Sequence, residues 1–307
     1  MLETIVGVAD AAKVRSASGS SPPKLRMLVK YPGSKWKIMA RLVPLLPYHE
    51  HFVSVFGGSG AEILAKPRSM LESYNDLDSQ VHNVFSVVHN DQARELRDRI
   101  AATPNMSQKC FRDAAAILKQ PISDPVLSAW AFIVVGNQGN GTKAPPMLGD
   151  SDFGYATHHQ SVRSKWQHMP SIVDAIRRRF QKVQLFQEPY QKLFKRFNRQ
   201  GDSVCWLLDP PYHPSTLNCH GDLYTSEMTD AEHGEFLDLV LGLHGHALVF
   251  NYANDLYNRK LKNWRRVEFP SMTNMAMRPT SSARVDVCWM NFDHGGRRIV
   301  SKKGGAK

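Results

Sequence analysis

An α/β fold with a mostly parallel sheet, covered by helices on both faces, is predicted by two features of the sequence. Short apolar runs recur along the chain and close on glycines, acids or prolines, and helix-start signals fall between them. Phe52 to Phe56 is the first such run, and it opens into Gly57-Gly58. Ser69 to Asn75 is the second, ending at acids, and Val204 to Leu208 is the third, stopped by Asp209-Pro210-Pro211. Ala247 to Phe250 and Val285 to Phe292 supply two more. Thr229-Asp230-Ala231-Glu232 has capping-box spacing, so a helix should begin there with Phe236, Leu237, Val240 and Leu241 toward the core.

Strand signals lapse between residues 91 and 200. Ile172, Ile176, Phe180 and Val183 keep helical spacing, while Gly136 to Asp152 is a glycine-rich loop with two prolines. The expected division is therefore a sheet domain over 27–90 and 201–294, with a helical insertion over 91–200. Residues 1–26, rich in Ala, Ser, Gly and Pro without periodicity, are expected to be disordered, and 295–307 to form a flexible basic tail.

The net charge is +11, and its distribution is uneven. Residues 160–200 hold ten Lys or Arg against two acids, Asp174 and Glu188. Such a block fits a polyanionic partner. No stretch approaches the ~18 apolar residues of a membrane span, and the N-terminus lacks the apolar core of a secretory signal, so a cytoplasmic protein without a membrane partner is expected. Cys110, Cys205, Cys219 and Cys288 are scattered without metal-ligand spacing, so neither a metal site nor disulfides are expected.

Four segments carry chemistry. In an open α/β sheet, ligands sit beyond the carboxyl ends of the strands, and that is where Asp209-Pro210-Pro211-Tyr212 falls. The carboxylate can accept a hydrogen bond from an aromatic amine and orient its lone pair. The two prolines stiffen the chain, and the Pro210 carbonyl is a second acceptor. Tyr212 offers a ring on which a base can stack. Phe56-Gly57-Gly58-Ser59-Gly60-Ala61 lets a ligand approach the backbone at a helix N-terminus. Asn75-Asp76-Leu77-Asp78 places an acid sixteen residues beyond Gly60, where it can bind ribose hydroxyls; one of its two acids can serve instead as a helix cap. Lys30-Tyr31-Pro32-Gly33-Ser34-Lys35 sets a lysine beside a glycine turn, within reach of a carboxylate.

The order and spacing of these segments resemble the Dam-like adenine-specific DNA methyltransferases, and the wording is closest to the phage and prophage branch. Phe56 to Lys66 (FGGSGAEILAK), Tyr74 to Asp78, Tyr224 to His233 and Arg284 to Asn291 (RVDVCWMN) carry the likeness, which runs from about Lys30 to Asn291. The resemblance implies a Rossmann-like S-adenosylmethionine-dependent methyltransferase sheet with a mostly helical inserted target-recognition domain. It further implies methyl transfer to the N6 amine of adenine in double-stranded DNA, with the base flipped out of the helix. By position, Tyr31, Lys35, Phe56, Gly58, Gly60, Asp76 and Asp209 would form the S-adenosylmethionine site. Asp209, Pro210, Pro211 and Tyr212 would be catalytic. Two departures stand out: Ser54-Val55 replace the Glu-Pro usual before the Phe of the glycine motif, and Asp78 stands where Asn is also common.

Two alternatives share this pocket. Cytosine-N4 methyltransferases use the same chemistry but commonly carry Ser in place of Asp209. A DNA-binding relative without activity would keep the fold, and cofactor binding separates it. No Pro-Cys nucleophile of the cytosine-C5 type is present. Sequence specificity is expected from Asn137 to Lys165, together with the basic helix that follows. Asn137, Gln138, Asn140, Gln160 and Arg163 are side-chain types that read base edges, Arg177, Arg178, Arg179 and Lys182 are candidates for phosphate contact, and Lys165 is a further candidate for DNA binding. His213 to Tyr224 is the other candidate recognition segment.

Overall fold

The computed structural model describes residues 25–31, 33–139, 145, 148, 152–154, 166–216, 227–270 and 285–299. Its centre is a seven-stranded sheet in the order β3-β2-β1-β4-β5-β7-β6. The strands are β1 (His51–Ser54), β2 (Leu71–Asn75), β3 (Val183–Phe186), β4 (Val204–Leu208), β5 (His246–Tyr252), β6 (Arg265–Pro270) and β7 (Val285–Met290). β1 to β5 pair in parallel, and β7 runs antiparallel to both β5 and β6.

The period of two along each strand divides the core into two layers. Phe52, Cys205, Leu207, Leu248, Phe250, Cys288 and Met290 face one layer. Val53, Val204, Trp206, Leu208, Ala247, Val249, Val287 and Trp289 face the other. Because both faces are dry, these strands read as unbroken apolar runs, which is why they were legible.

Ten helices are described. Near the N-terminus is α1 (Met39–Leu42), preceded by a 3-10 turn at Lys35–Ile38. After β1 comes α2 (Ala61–Ala65), and after β2 comes α3 (Ser79–His89), capped by the Asp78 carboxylate on the Gln80 and Val81 amides. The helices α4 (Ala93–Ala102), α5 (Gln108–Leu118), α6 (Pro125–Gln138) and α7 (Met169–Phe180) follow. α6 is apolar on all sides and sits inside this group, packed against α3, α4 and α5. These helices share one continuous core with the sheet, since Phe111, Phe132 and Phe180 join Phe52 and Phe85 in it. α8 (Tyr190–Phe197), α9 (Asp230–Leu241) and α10 (Asp255–Lys260) complete the set. The capping box forms at Thr229 and Glu232 as expected.

Four expectations need correction. Val183, assigned to a helix face by its spacing from Phe180, instead opens β3, an edge strand of four residues paired to β2, so the sheet takes 183–186 out of the expected insertion. β6 was also missed: Arg265, Arg266, Glu268 and Pro270 suit a strand at the opposite edge, where one side meets water, and hide its apolar alternation. Leu241 is 45% exposed rather than buried. Residues 295–299, expected to be free tail, fold back: the Ile299 amide donates to Asn291 O, and Arg298 pairs with Asp202. Residues 1–24 and 300–307 lie outside the described residues, and so do the disordered N-terminus and basic tail expected there. No helix of the described residues is long and apolar enough to cross a membrane.

Candidate active site

Strand order reverses between β1 and β4, so the loops leaving their carboxyl ends diverge and open a crevice. A cleft of about 380 Å³ lies there, within the usual range for a small-molecule site. The loop after β1 brings Phe56 to Ser59, the loop after β2 brings Asp76 to Asp78, and the loop after β4 brings Asp209 to Pro211. Tyr31, Ser34 and Lys35 close it from the N-terminal segment.

The glycine loop is shaped by its neighbours. A Cβ on Gly57 would fall 2.2 Å from the Tyr74 ring, so no other residue fits. Gly58 has φ of +46°, and its amide donates to Asp76 Oδ2 at 2.6 Å. The Asp78 amide donates to Asp76 Oδ1 at 2.9 Å. These two bonds orient Asp76, yet burial dominates and pushes its carboxyl up to about 7. Asp78 caps α3 and accepts the Tyr31 hydroxyl at 3.4 Å, so the acid pair divides into one cleft acid and one cap.

Lys35 is 4% exposed, and its ammonium lies 2.7 Å from Asp209 Oδ2 while donating to Gly33 O at 2.6 Å. Burial opposes its charge, but Asp209 and Asp286 hold it above the usual lysine value. Asp209 is pushed up to about 6 by burial despite that ammonium. Its second oxygen, Oδ1, is buried with no hydrogen-bond partner. A buried acceptor left bare costs roughly 1–3 kcal/mol, and in a binding cleft a donor on the ligand can offset that cost.

Tyr212 differs from expectation. It is 5% exposed, its hydroxyl donates to Asp286 Oδ1 at 2.5 Å, and its ring meets Tyr252 edge-on at 4.5 Å. The Lys35 ammonium sits 4.8 Å from its ring centroid. The ring is thus enclosed here rather than displayed for stacking, and the hydroxyl carries a role of its own. Tyr212→Phe removes the donor from Asp286 and is expected to lower stability by about 1–3 kcal/mol, read by thermal melting. An unchanged melting temperature would return the residue to a ring-only role.

Gly60 also serves the fold rather than the cleft. Its φ is +65°, and a Cβ there would press on Phe85 and Phe180 at 3.1 and 3.2 Å. Sequence reasoning missed Glu62, Glu188-Pro189-Tyr190 and Met228, all of which line the cleft. The middle group was hidden with β3, which delivers it. Glu62 had a signal: a lone acid between Ala61 and Ile63-Leu64 on a short buried helix.

The candidate DNA-reading residues separate. The Asn137 side-chain amide donates to Leu28 O and Ile133 O, which ties the N-terminal segment to α6. Gln138 is 2% exposed and donates to Pro104 O. Neither is placed to reach a groove. Arg179 is buried and forks onto Glu72, so it is no phosphate contact. Arg178 is exposed, and Arg177 is half-buried beside Asp91 at 2.8 Å. Asn140, Gln160, Arg163, Lys165 and residues 217–224 lie outside the described residues. Among the described residues no group of three or more His, Cys, Asp or Glu could hold a metal.

Comparison with known proteins bears on the first half of this site. Residues 31–115 match the D12 class N6 adenine-specific DNA methyltransferase family, a stretch that includes Tyr31, Lys35, the glycine loop and Asp76. No curated protein sequence matches the chain at a significant level. Among solved structures, a SAM-dependent methyltransferase from Agrobacterium tumefaciens aligns at 8% identity and a TM-score of 0.36, over 83% of this chain and 59% of that one. A protein described as a methyltransferase and solved with SAH aligns at 9% identity and the same TM-score of 0.36, over 83% of this chain and 48% of its own. The chain thus spans 59% and 48% of the length of these two structures. Over residues 31–115 the chain is similar to the D12 class of N6 adenine-specific DNA methyltransferases, and Asp209-Pro210-Pro211-Tyr212 follows beyond the matched stretch, with Asp209 facing the same cleft.

Proposed function

We propose that the protein is a site-specific methyltransferase that moves a methyl group from S-adenosylmethionine to the N6 amine of adenine in double-stranded DNA. The observation that carries this reading is the bare, buried Oδ1 of Asp209 at the end of β4, with Lys35 fixed on its other oxygen. The residues also suit the cofactor. The cleft has the right size, glycines admit a ligand to its floor, and the buried Glu62 with the part-buried Asp76 and Asp209 favours a cation. When bound, S-adenosylmethionine supplies a methyl group on a positively charged sulfur. Asp76, at the end of β2, is placed to hold ribose hydroxyls. Lys35 keeps the Asp209 carboxylate turned so that Oδ1 accepts a hydrogen of the target amine, and the Pro210 carbonyl accepts the other. With the amine so held, its nitrogen lone pair would face the methyl group that the cofactor supplies. The N–C bond would form as the S–C bond breaks, with the thioether as leaving group and one amine proton lost, which is catalysis by positioning. Because that amine is buried in duplex DNA, the base must be extruded, at a cost of a few kcal/mol.

The exposed Arg178 and half-buried Arg177 on α7 are proposed phosphate contacts, and residues 140–165 with 217–224 the proposed recognition elements. The gene should be expressed in a bacterial host that lacks DNA methylation, and its modified bases mapped. N6-methyladenine in one short sequence is the expected result; N4-methylcytosine would select the alternative, and no modification the inactive relative.

The reading also sets a pH dependence. Asp209 works as an acceptor only when ionised, and burial raises its carboxyl to about 6. Methyl transfer measured in single turnovers is therefore expected to fall as pH drops through about 6, by about tenfold per unit below it. A flat rate between pH 5 and 8 would remove the carboxylate from the reaction.

A further inference from the structure

Glu62 is a buried acid to which the reading above gives no individual role. It is 5% exposed, lies in the first turn of α2 and lines the cleft. Among the described residues it makes no ion pair, and its one side-chain donor is the Ser54 hydroxyl, bonded to Oε1.

Several other charged groups of the cleft are already engaged, while Glu227 and Glu235, which also line it, are exposed. Lys35, the one Lys or Arg among the described residues lining it, is spent on Asp209. Both oxygens of Asp76 accept backbone amides, and Asp78 caps α3. Glu62 and Asp76 both line the cleft, Glu62 from α2 and Asp76 from the loop after β2. A buried carboxyl without a cation, facing a binding cleft, is stabilised when the ligand brings the cation. Burial also pushes Glu62 up to about 7, the state of an acid that an arriving cation would ionise.

We propose that Glu62, held by Ser54, is the receptor for the α-ammonium of the cofactor's amino-acid tail. The proposal rests on the cofactor reading given above and adds which residue recognises that tail.

The test is calorimetry with three ligands: S-adenosylmethionine, S-adenosylhomocysteine, and 5′-methylthioadenosine, which lacks the tail. Glu62→Gln is expected to weaken the first two at least tenfold and to leave 5′-methylthioadenosine within about twofold. Ser54→Ala should act in the same direction but less, and it supplies the discrimination if Glu62→Gln fails to fold. Equal loss for all three ligands would overturn the proposal, since it would mean a distorted cleft, and unchanged affinity for all three would also overturn it. Failure of the unaltered protein to bind any of them would instead overturn the cofactor reading itself.

Discussion

Asp209→Asn is expected to lower methyl transfer by about 100–1,000-fold while S-adenosylmethionine still binds, as measured by single-turnover transfer and calorimetry. The amide keeps the shape of the side chain but loses the charge that Lys35 orients. It also turns a pure acceptor into a group that presents a donor on one side, so the target amine no longer finds two fixed acceptors. Asp209→Ala is a different experiment. It strands the Lys35 ammonium, 4% exposed, with Asp286 as the remaining acid that offsets its charge. Breaking a buried pair costs about 3–5 kcal/mol, so that variant confounds stability with catalysis. If Asp209→Asn retained more than about a tenth of the rate, Oδ1 would not be where the amine is held.

Arg179→Ala is expected to lower stability by about 3–5 kcal/mol, the cost of breaking a buried pair. Its guanidinium lies 2.7 Å from Glu72 Oε1 and also contacts Oε2, and the Lys66 ammonium shares Oε1 at 2.7 Å. Burial opposes ionisation of Glu72, yet Arg179 and Lys66 together hold its carboxyl below the usual range. The sign follows: a depressed carboxyl contributes stability present above its unfolded value and lost as pH falls through the folded one. Arg178→Ala, one residue away and exposed, should leave the melting temperature unchanged and reduce the log-log salt slope of DNA binding by about one. If the two arginines exchanged these phenotypes, the register of α7 on the sheet would be wrong. Measuring both by thermal melting and by salt titration decides it.

The arginine triplet illustrates what residue type leaves open. Arg177, Arg178 and Arg179 are chemically alike and consecutive, so composition assigns all three to a charged face. On a helix, consecutive residues point about 100° apart, and only the docking of α7 turns Arg179 onto Glu72, 107 residues away. Asn137 and Gln138 repeat the lesson, since their amides are spent on carbonyls of distant segments.

Local order determined the rest from the sequence alone: the central strands, the ends at which their loops turn, and the placing of Gly58, Asp76 and Asp209 on one rim of the sheet. Each of these follows from patterns a few residues long, because a strand buried on both faces must be apolar throughout and a ligand must lie beyond its carboxyl end. The edge strands β3 and β6, the enclosure of Tyr212 by Asp286, and the meeting of Ser54 with Glu62 were decided only by tertiary structure. A short or charged edge strand forms because a neighbour offers its hydrogen bonds. A buried polar side chain acquires its role from whichever partner the fold brings within about 3 Å, and that distance is set by packing between segments remote in the chain.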